Sequence, residues 1–229
     1  MLLGGALLLR LVLALVTDGY PYDMSCFVAW GDKLAAEGPA AFYSEGYFAD
    51  YPPGYLWVLG LVGAIRAALH IAYESKWTYF LLALVPSLCD CGLAWLVYRT
   101  AKRSSRGVKE HTALVLTAFT AFNPLMLFDT GVWKQIDGAF ALPLVFYAFL
   151  VARGPRHTVF YGIPAFFGGL ALAVVDAEGL MLGVGVAALV LICQKNFTTR
   201  TLRRLAVIGA FFFFHAGWMQ YMRTHVYTQ

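Results

Sequence analysis

A run of five residues, Trp133-Lys134-Gln135-Ile136-Asp137, brings an indole, an ammonium, an amide and a carboxylate together in the sequence. An indole can stack on the apolar face of a sugar ring while an amide and a carboxylate take its hydroxyls. The same residues also read as a plain interfacial tryptophan with solvated neighbours. Asn123-Pro124 and Asp129 lie just upstream and add polar groups to the same place. Earlier in the chain, Asp23 stands at the head of Phe27, Val28, Trp30 and Leu34, which recur near helical spacing. An aspartate there is expected to cap a helix, a role compatible with chemistry. Asp50 precedes Tyr51-Pro52-Pro53, whose prolines favour an extended entry into the next segment. Cys89-Asp90-Cys91 has the wrong spacing for zinc, no histidine stands nearby, and the five histidines form no ligand cluster.

These residues must be held by apolar elements. The chain has 229 residues, 60% hydrophobic and 13% charged; soluble chains carry about 25% charged residues, so an ordinary soluble domain is excluded. Spanning-length apolar stretches fall at roughly 1 to 17, 77 to 98, 112 to 128, 138 to 152, 159 to 175, 179 to 193 and 205 to 222. The four-phenylalanine run at 211 to 214 is apolar on every side, which favours helices over a transmembrane barrel. The fold class expected is all-α, a polytopic bundle of seven to nine membrane segments forming one domain. The first segment lacks a basic n-region and a small-residue cleavage site, so it is read as a helix and not a signal peptide.

Charge orients the bundle. Eleven of the 17 basic residues fall in three turns, at 99–111, 153–158 and 194–204, which the positive-inside rule places in the cytoplasm. Acids mark the opposite connections: Asp129 and Asp137, then Asp176 and Glu178, and the loop from 18 to 53. That loop, about 36 residues, is too long for a mere connector and is expected to carry an amphipathic helix over Met24 to Ala36, lying at the membrane interface. The stretch from 54 to 71 breaks the parity. Either it re-enters or crosses twice around Arg66, or the first helix runs the other way. Asp90, Arg10 and Arg66 lie inside apolar runs, where a charge facing lipid costs about 2.5 to 3.5 kcal/mol, so they must face protein. An Arg10 to Asp90 pair is one structural explanation. The basic clusters are short membrane-flanking turns, which argues against nucleic-acid binding.

With these residues in view, the chain resembles the polyprenyl-phosphate-sugar-dependent membrane glycosyltransferases of the GT-C class. The likeness rests on Asp23 before a Trp-bearing amphipathic helix, Asp-Tyr-Pro-Pro-Gly-Tyr-Leu at 50 to 56, and Asn123-Pro124 followed by Trp133-Lys134-Gln135-Ile136-Asp137. The last pair of motifs is similar to the Asn-Pro and Trp-Gly-Gln-x-Asp pattern of mannosyltransferase-like members, including relatives of the first GPI mannosyltransferase. The resemblance extends to about residue 195. It implies hexose transfer, mannose above all, by inverting displacement, with the polyprenyl-phosphate sugar as donor and a glycan, lipid or protein as acceptor. It further implies that Asp23 is the catalytic base, that Asp50 and Tyr51 shape the mouth, and that Trp133, Lys134, Gln135 and Asp137 hold sugar and phosphate. Beyond the polyprenyl-phosphate sugar no cofactor is named by the resemblance, and a divalent metal stays open.

Two positions depart from the pattern. Lys134 stands where the family has Gly, and Asp176-Ala177-Glu178 where relatives often have Lys-Pro-Gln. The expectation drawn from this is a swap: Lys134 meets the lipid phosphate and Asp176 pairs with it. The length matches an N-terminal module of the family architecture, so a partner subunit that completes the enzyme stays among the readings. Two alternatives stay open as well: a catalytically inactive lipid-sugar binder or assembly subunit on the same scaffold, and a transporter or flippase motivated by Asp90, Arg10 and Arg66.

Overall fold

The structure is a computed structural model and describes residues 1–152 other than 45, 50, 52, 105 and 106. The segments expected at 159 to 175, 179 to 193 and 205 to 222, with Asp50, Asp176 and Glu178, lie outside the described residues. All regular structure among the described residues is helical: α1 (Leu2–Val16), α2 (Pro21–Glu37), α3 (Pro39–Phe42), α4 (Pro53–Ala68), α5 (Lys76–Lys102), α6 (Glu110–Ala121), α7 (Pro124–Leu127), a π-helical turn (Phe128–Trp133) and α8 (Asp137–Ala152). One of these, α5, is long and apolar enough to cross a membrane alone. Up to three spans result if each of two bent pairs, α1 with α2 and α6 with Pro124–Trp133, is counted as one.

At about 1.5 Å per residue α5 is roughly 40 Å long and joins the two ends of the bundle. Its first residue, Lys76, pairs with Asp18 just beyond α1. The other end carries Arg99 and Lys102 in the last helical turn, and Lys102 pairs with Glu110 at the head of α6 at 2.5 Å. Helix α1 runs antiparallel to α5: Leu3 lies by Cys91, Arg10 by Asp90 and Asp18 by Lys76. Ala6, Ala94 and Ala121 meet where α1, α5 and α6 pack, small residues that let the backbones approach. Helix α8 runs alongside α5 in the same direction, with Gly138 against Pro86 and Leu142 against Gly92.

Between α1 and α2 the chain turns through 97°. Gly19 takes φ 75°, where glycine is free of the Cβ penalty, and Pro21 opens α2 while holding Tyr20 extended. The amphipathic piece foreseen at 24 to 36 is thus a slightly longer helix, and its apolar face is covered by protein. Phe27, Trp30 and Leu34 pack with Leu56, Leu59 and Val62 of α4 in the main core. The two helices meet antiparallel at Gly31 and Gly63, so closely that a Cβ on Gly31 would stand 2.5 Å from the Leu59 carbonyl oxygen.

Helix α4 runs unbroken as far as Ala68 and lies on α2, and the connection from 69 to 75 returns to the end from which α2 left. Arg66 sits in the last turn of α4, where a cation suits the helix dipole, and is held by Asp32 at 2.5 Å, the Thr78 hydroxyl at 3.0 Å and the Ile71 carbonyl at 3.4 Å. The pairing of Arg10 with Asp90 is present: Nε donates to Oδ2 at 3.1 Å, both side chains are buried, and Nη1 donates to the Ala121 carbonyl at 2.7 Å. The Thr130 hydroxyl lies 2.8 Å from the same Asp90 oxygen and brings the π turn onto this pair.

Candidate functional site

The site forms where the α1–α2 corner meets the junction of the π turn with α8. Asn123 starts this approach. Its side chain accepts hydrogen bonds from the Leu125 and Met126 amides at 2.9 and 3.4 Å, and Pro124 follows at the first helical position, so Asn-Pro here is a helix start. The helix then widens into the π turn, a local expansion often found at functional positions. Lys134 ends it in the left-handed conformation, φ 66° and ψ 36°. Glycine adopts that conformation without strain, whereas a lysine carries a Cβ penalty there. Directly after it, the Gln135 amide donates to the Asp129 carbonyl at 2.9 Å.

The Gln135 side chain donates from Nε2 to Oδ2 of Asp23 across 112 residues of sequence. Asp23 is not an N-cap. Tyr20 occupies that position, and Asp23 lies inside the first turn of α2, half-buried, with its carboxylate directed to Gln135. Trp133, close before Gln135 in the chain, is 41% exposed and in edge contact with Tyr20, the N-cap of α2, at 6.0 Å and with Phe128 at 5.8 Å. A half-buried carboxylate oriented by an amide, next to an exposed indole, can bind a polyol and accept a proton from one of its hydroxyls.

Lys134 does not present its charge at this surface. It is fully buried, and its ammonium donates to the Thr17 carbonyl at 2.9 Å, the Thr17 hydroxyl at 2.8 Å and the Val132 carbonyl at 3.1 Å, with the Tyr79 ring 5.5 Å away. The phosphate-facing role expected for it is therefore not the one its geometry offers. Three acceptors take its three protons, and burial pushes its amine down to about 8. The half-exposed cation nearby is Lys76, paired with Asp18; its hydrogen bond and then its charge hold the Asp18 carboxyl below its ordinary range.

Tyr51 packs against Trp30 at 4.9 Å and Phe27 at 5.4 Å, while its carbonyl accepts from the Tyr43 hydroxyl at 2.7 Å. Phe27 and Trp30 follow Asp23 at helical spacing, so Tyr51 stands one to two turns along the same side of α2. Asp137 is exposed at the head of α8, where an acid suits the dipole, and its charge neighbours Asp90 and Asp129. The structure thus joins Asp23 to Gln135 directly, with Trp133 against Tyr20 at the head of the same helix, while the charge of Asp137 acts on Asp90 and Asp129. Among the described residues no three or more His, Cys, Asp or Glu side chains gather in a way that could hold a metal.

Thr17, Gly19, Tyr20 and Lys76 belong to this corner, and no motif in the sequence marks the first three. One signal for Lys76 existed: it is a basic residue at the end where acids otherwise collect. No family model matches the chain, and no curated protein or solved structure matches it either.

Proposed function

We propose that this chain is a multi-pass membrane glycosyltransferase module of the GT-C kind, acting on the extracytoplasmic face. It transfers a hexose, mannose above all, from a polyprenyl-phosphate carrier to a hydroxyl-bearing glycan, lipid or protein acceptor. The observation that carries this reading is the hydrogen bond that directs the Asp23 carboxylate onto Gln135 beside an exposed tryptophan. In the proposed step Asp23 takes the acceptor hydroxyl proton as that oxygen bonds to the anomeric carbon. The bond from that carbon to the phosphate oxygen breaks, and polyprenyl phosphate leaves from the opposite face with the electron pair. General-base assistance of this kind contributes about 10²- to 10⁴-fold. Trp133 stacks on the sugar and Gln135 holds the carboxylate in place. Seven to nine segments across the whole chain, with the three basic turns cytoplasmic, complete the proposed architecture.

The test is incorporation of labelled hexose from a polyprenyl-phosphate donor by membranes carrying the full chain. Loss of incorporation in Asp23→Asn, with protein level unchanged, supports the reading; equal rates in wild type and variant remove Asp23 from the chemistry. The sealed ammonium of Lys134 favours a second reading, a lipid-sugar binder without turnover or an assembly subunit for a partner. It predicts donor retention by the purified chain and no transfer.

A further inference from the structure

We infer that Lys134 and Thr17 form a clip that positions Gln135, and through it Asp23. The inference rests on the proposed transferase reading for its consequence, though not for its geometry. Helix C-termini carry unsatisfied carbonyls and partial negative charge. Two such ends converge here: α1, whose flanking residue is Thr17, and the π turn, whose penultimate residue is Val132. The ammonium lies between them and takes one carbonyl from each, 2.9 Å to Thr17 and 3.1 Å to Val132, with the Thr17 hydroxyl at 2.8 Å completing its set.

Lys134 itself stands at φ 66°, a conformation that strains a residue with a Cβ. The clip closes a short circuit of chain. From Thr17 the backbone turns at Gly19 into α2 and reaches Asp23; from Lys134 the next residue is Gln135; Asp23 and Gln135 then bond to each other. A further backbone bond, Tyr20 N–H to the Trp133 carbonyl at 3.5 Å, lies inside the same circuit. Among the described residues, the hydrogen bonds of Thr17 and Lys134 reach neither the Asp23 carboxylate nor the exposed indole. They act through the backbone on the angle at which the amide meets the acid.

The experiment compares Thr17→Val, Thr17→Ser, Lys134→Met and wild type as purified full chains in detergent, with two readouts. Hydrogen exchange at the Gln135 amide, which donates to Asp129, reports local order without any reference to activity. Transfer kinetics report the consequence. The clip predicts about tenfold faster exchange over 128–137 in Lys134→Met and Thr17→Val, unchanged exchange in α5, and wild-type behaviour in Thr17→Ser. It also predicts that kcat falls about tenfold in the first two variants while KM for the lipid donor stays constant. Unchanged exchange in Lys134→Met overturns the clip. Faster exchange with unchanged kcat overturns its positioning role, and a raised donor KM at constant kcat returns Lys134 to phosphate binding. If wild type transfers nothing while exchange responds as expected, the transferase reading fails and the clip stands.

Discussion

Asp23 and Asp90 are both carboxylates held by a side-chain donor from a distant part of the chain, and both help to hold the stretch from 130 to 135. They differ in solvent. Asp90 is 2% exposed and faces an arginine and a hydroxyl, while Asp23 is half-buried and faces only a neutral amide among the side-chain bonds described. A buried pair of opposite charges compensates itself and locks helices in register, whereas a partly solvated carboxylate bonded to an amide keeps its charge available to a ligand. The comparison teaches that in this bundle the environment of an acid, more than its motif, separates scaffold from site.

Breaking the buried pair is expected to have the largest effect. Arg10→Met leaves the Asp90 charge uncompensated and should destabilise by about 3 to 5 kcal/mol, seen as a large drop in Tm in detergent. The double variant with Asp90→Leu should recover most of that loss, and a double variant as unstable as the single one would show that the pair is not the cause. Asp23→Asn should instead reduce transfer by about 10²- to 10⁴-fold and leave Tm within a degree or two of wild type. A matching fall in Tm would make Asp23 a scaffold acid like Asp90.

Gly63→Ala probes the scaffold without touching either acid. A Cβ there would enter the backbone of Gly31, so the helices must separate, and overpacking of this kind costs about 1 to 3 kcal/mol. A Tm equal to wild type would mean that α2 and α4 can move apart freely. Lys134 gives a smaller effect that depends on pH. Its amine titrates at about 8 when folded against an ordinary 10.5, so between those values the unfolded chain binds more protons and stability rises with pH. Below that window the cost of the buried charge is fully present. The Tm of wild type minus that of Lys134→Met should therefore increase as pH is raised through the window, and parallel curves would show that Lys134 is not the titrating group. The smallest effect belongs to Lys76→Met, which removes a solvent-screened, exposed pair and should hardly move Tm.

Composition and spacing by themselves determined that the described residues would be helical, where α1, α5 and α8 would lie, and that Arg10, Arg66 and Asp90 would face protein, because an apolar run and a charge inside it each have few inexpensive solutions. The single segment read over 112 to 128 is instead broken at Phe122 and Asn123, where the Asn123 side chain starts a new helix. Composition and spacing also drew attention to Asp23, Trp133 and Gln135, whose side chains suit a sugar. Only the tertiary structure decided which of the flagged groups meet. Gln135 reaches Asp23 across 112 residues, a relation no local pattern contains. Lys134 is next to Gln135 in sequence, yet its ammonium turns inward to two helix ends, a contact that exists only where the ends of α1 and the π turn converge. The seating of α4 on α2 was likewise illegible, because the close approach of Gly31 and Gly63 that allows it exists only once both helices are in place.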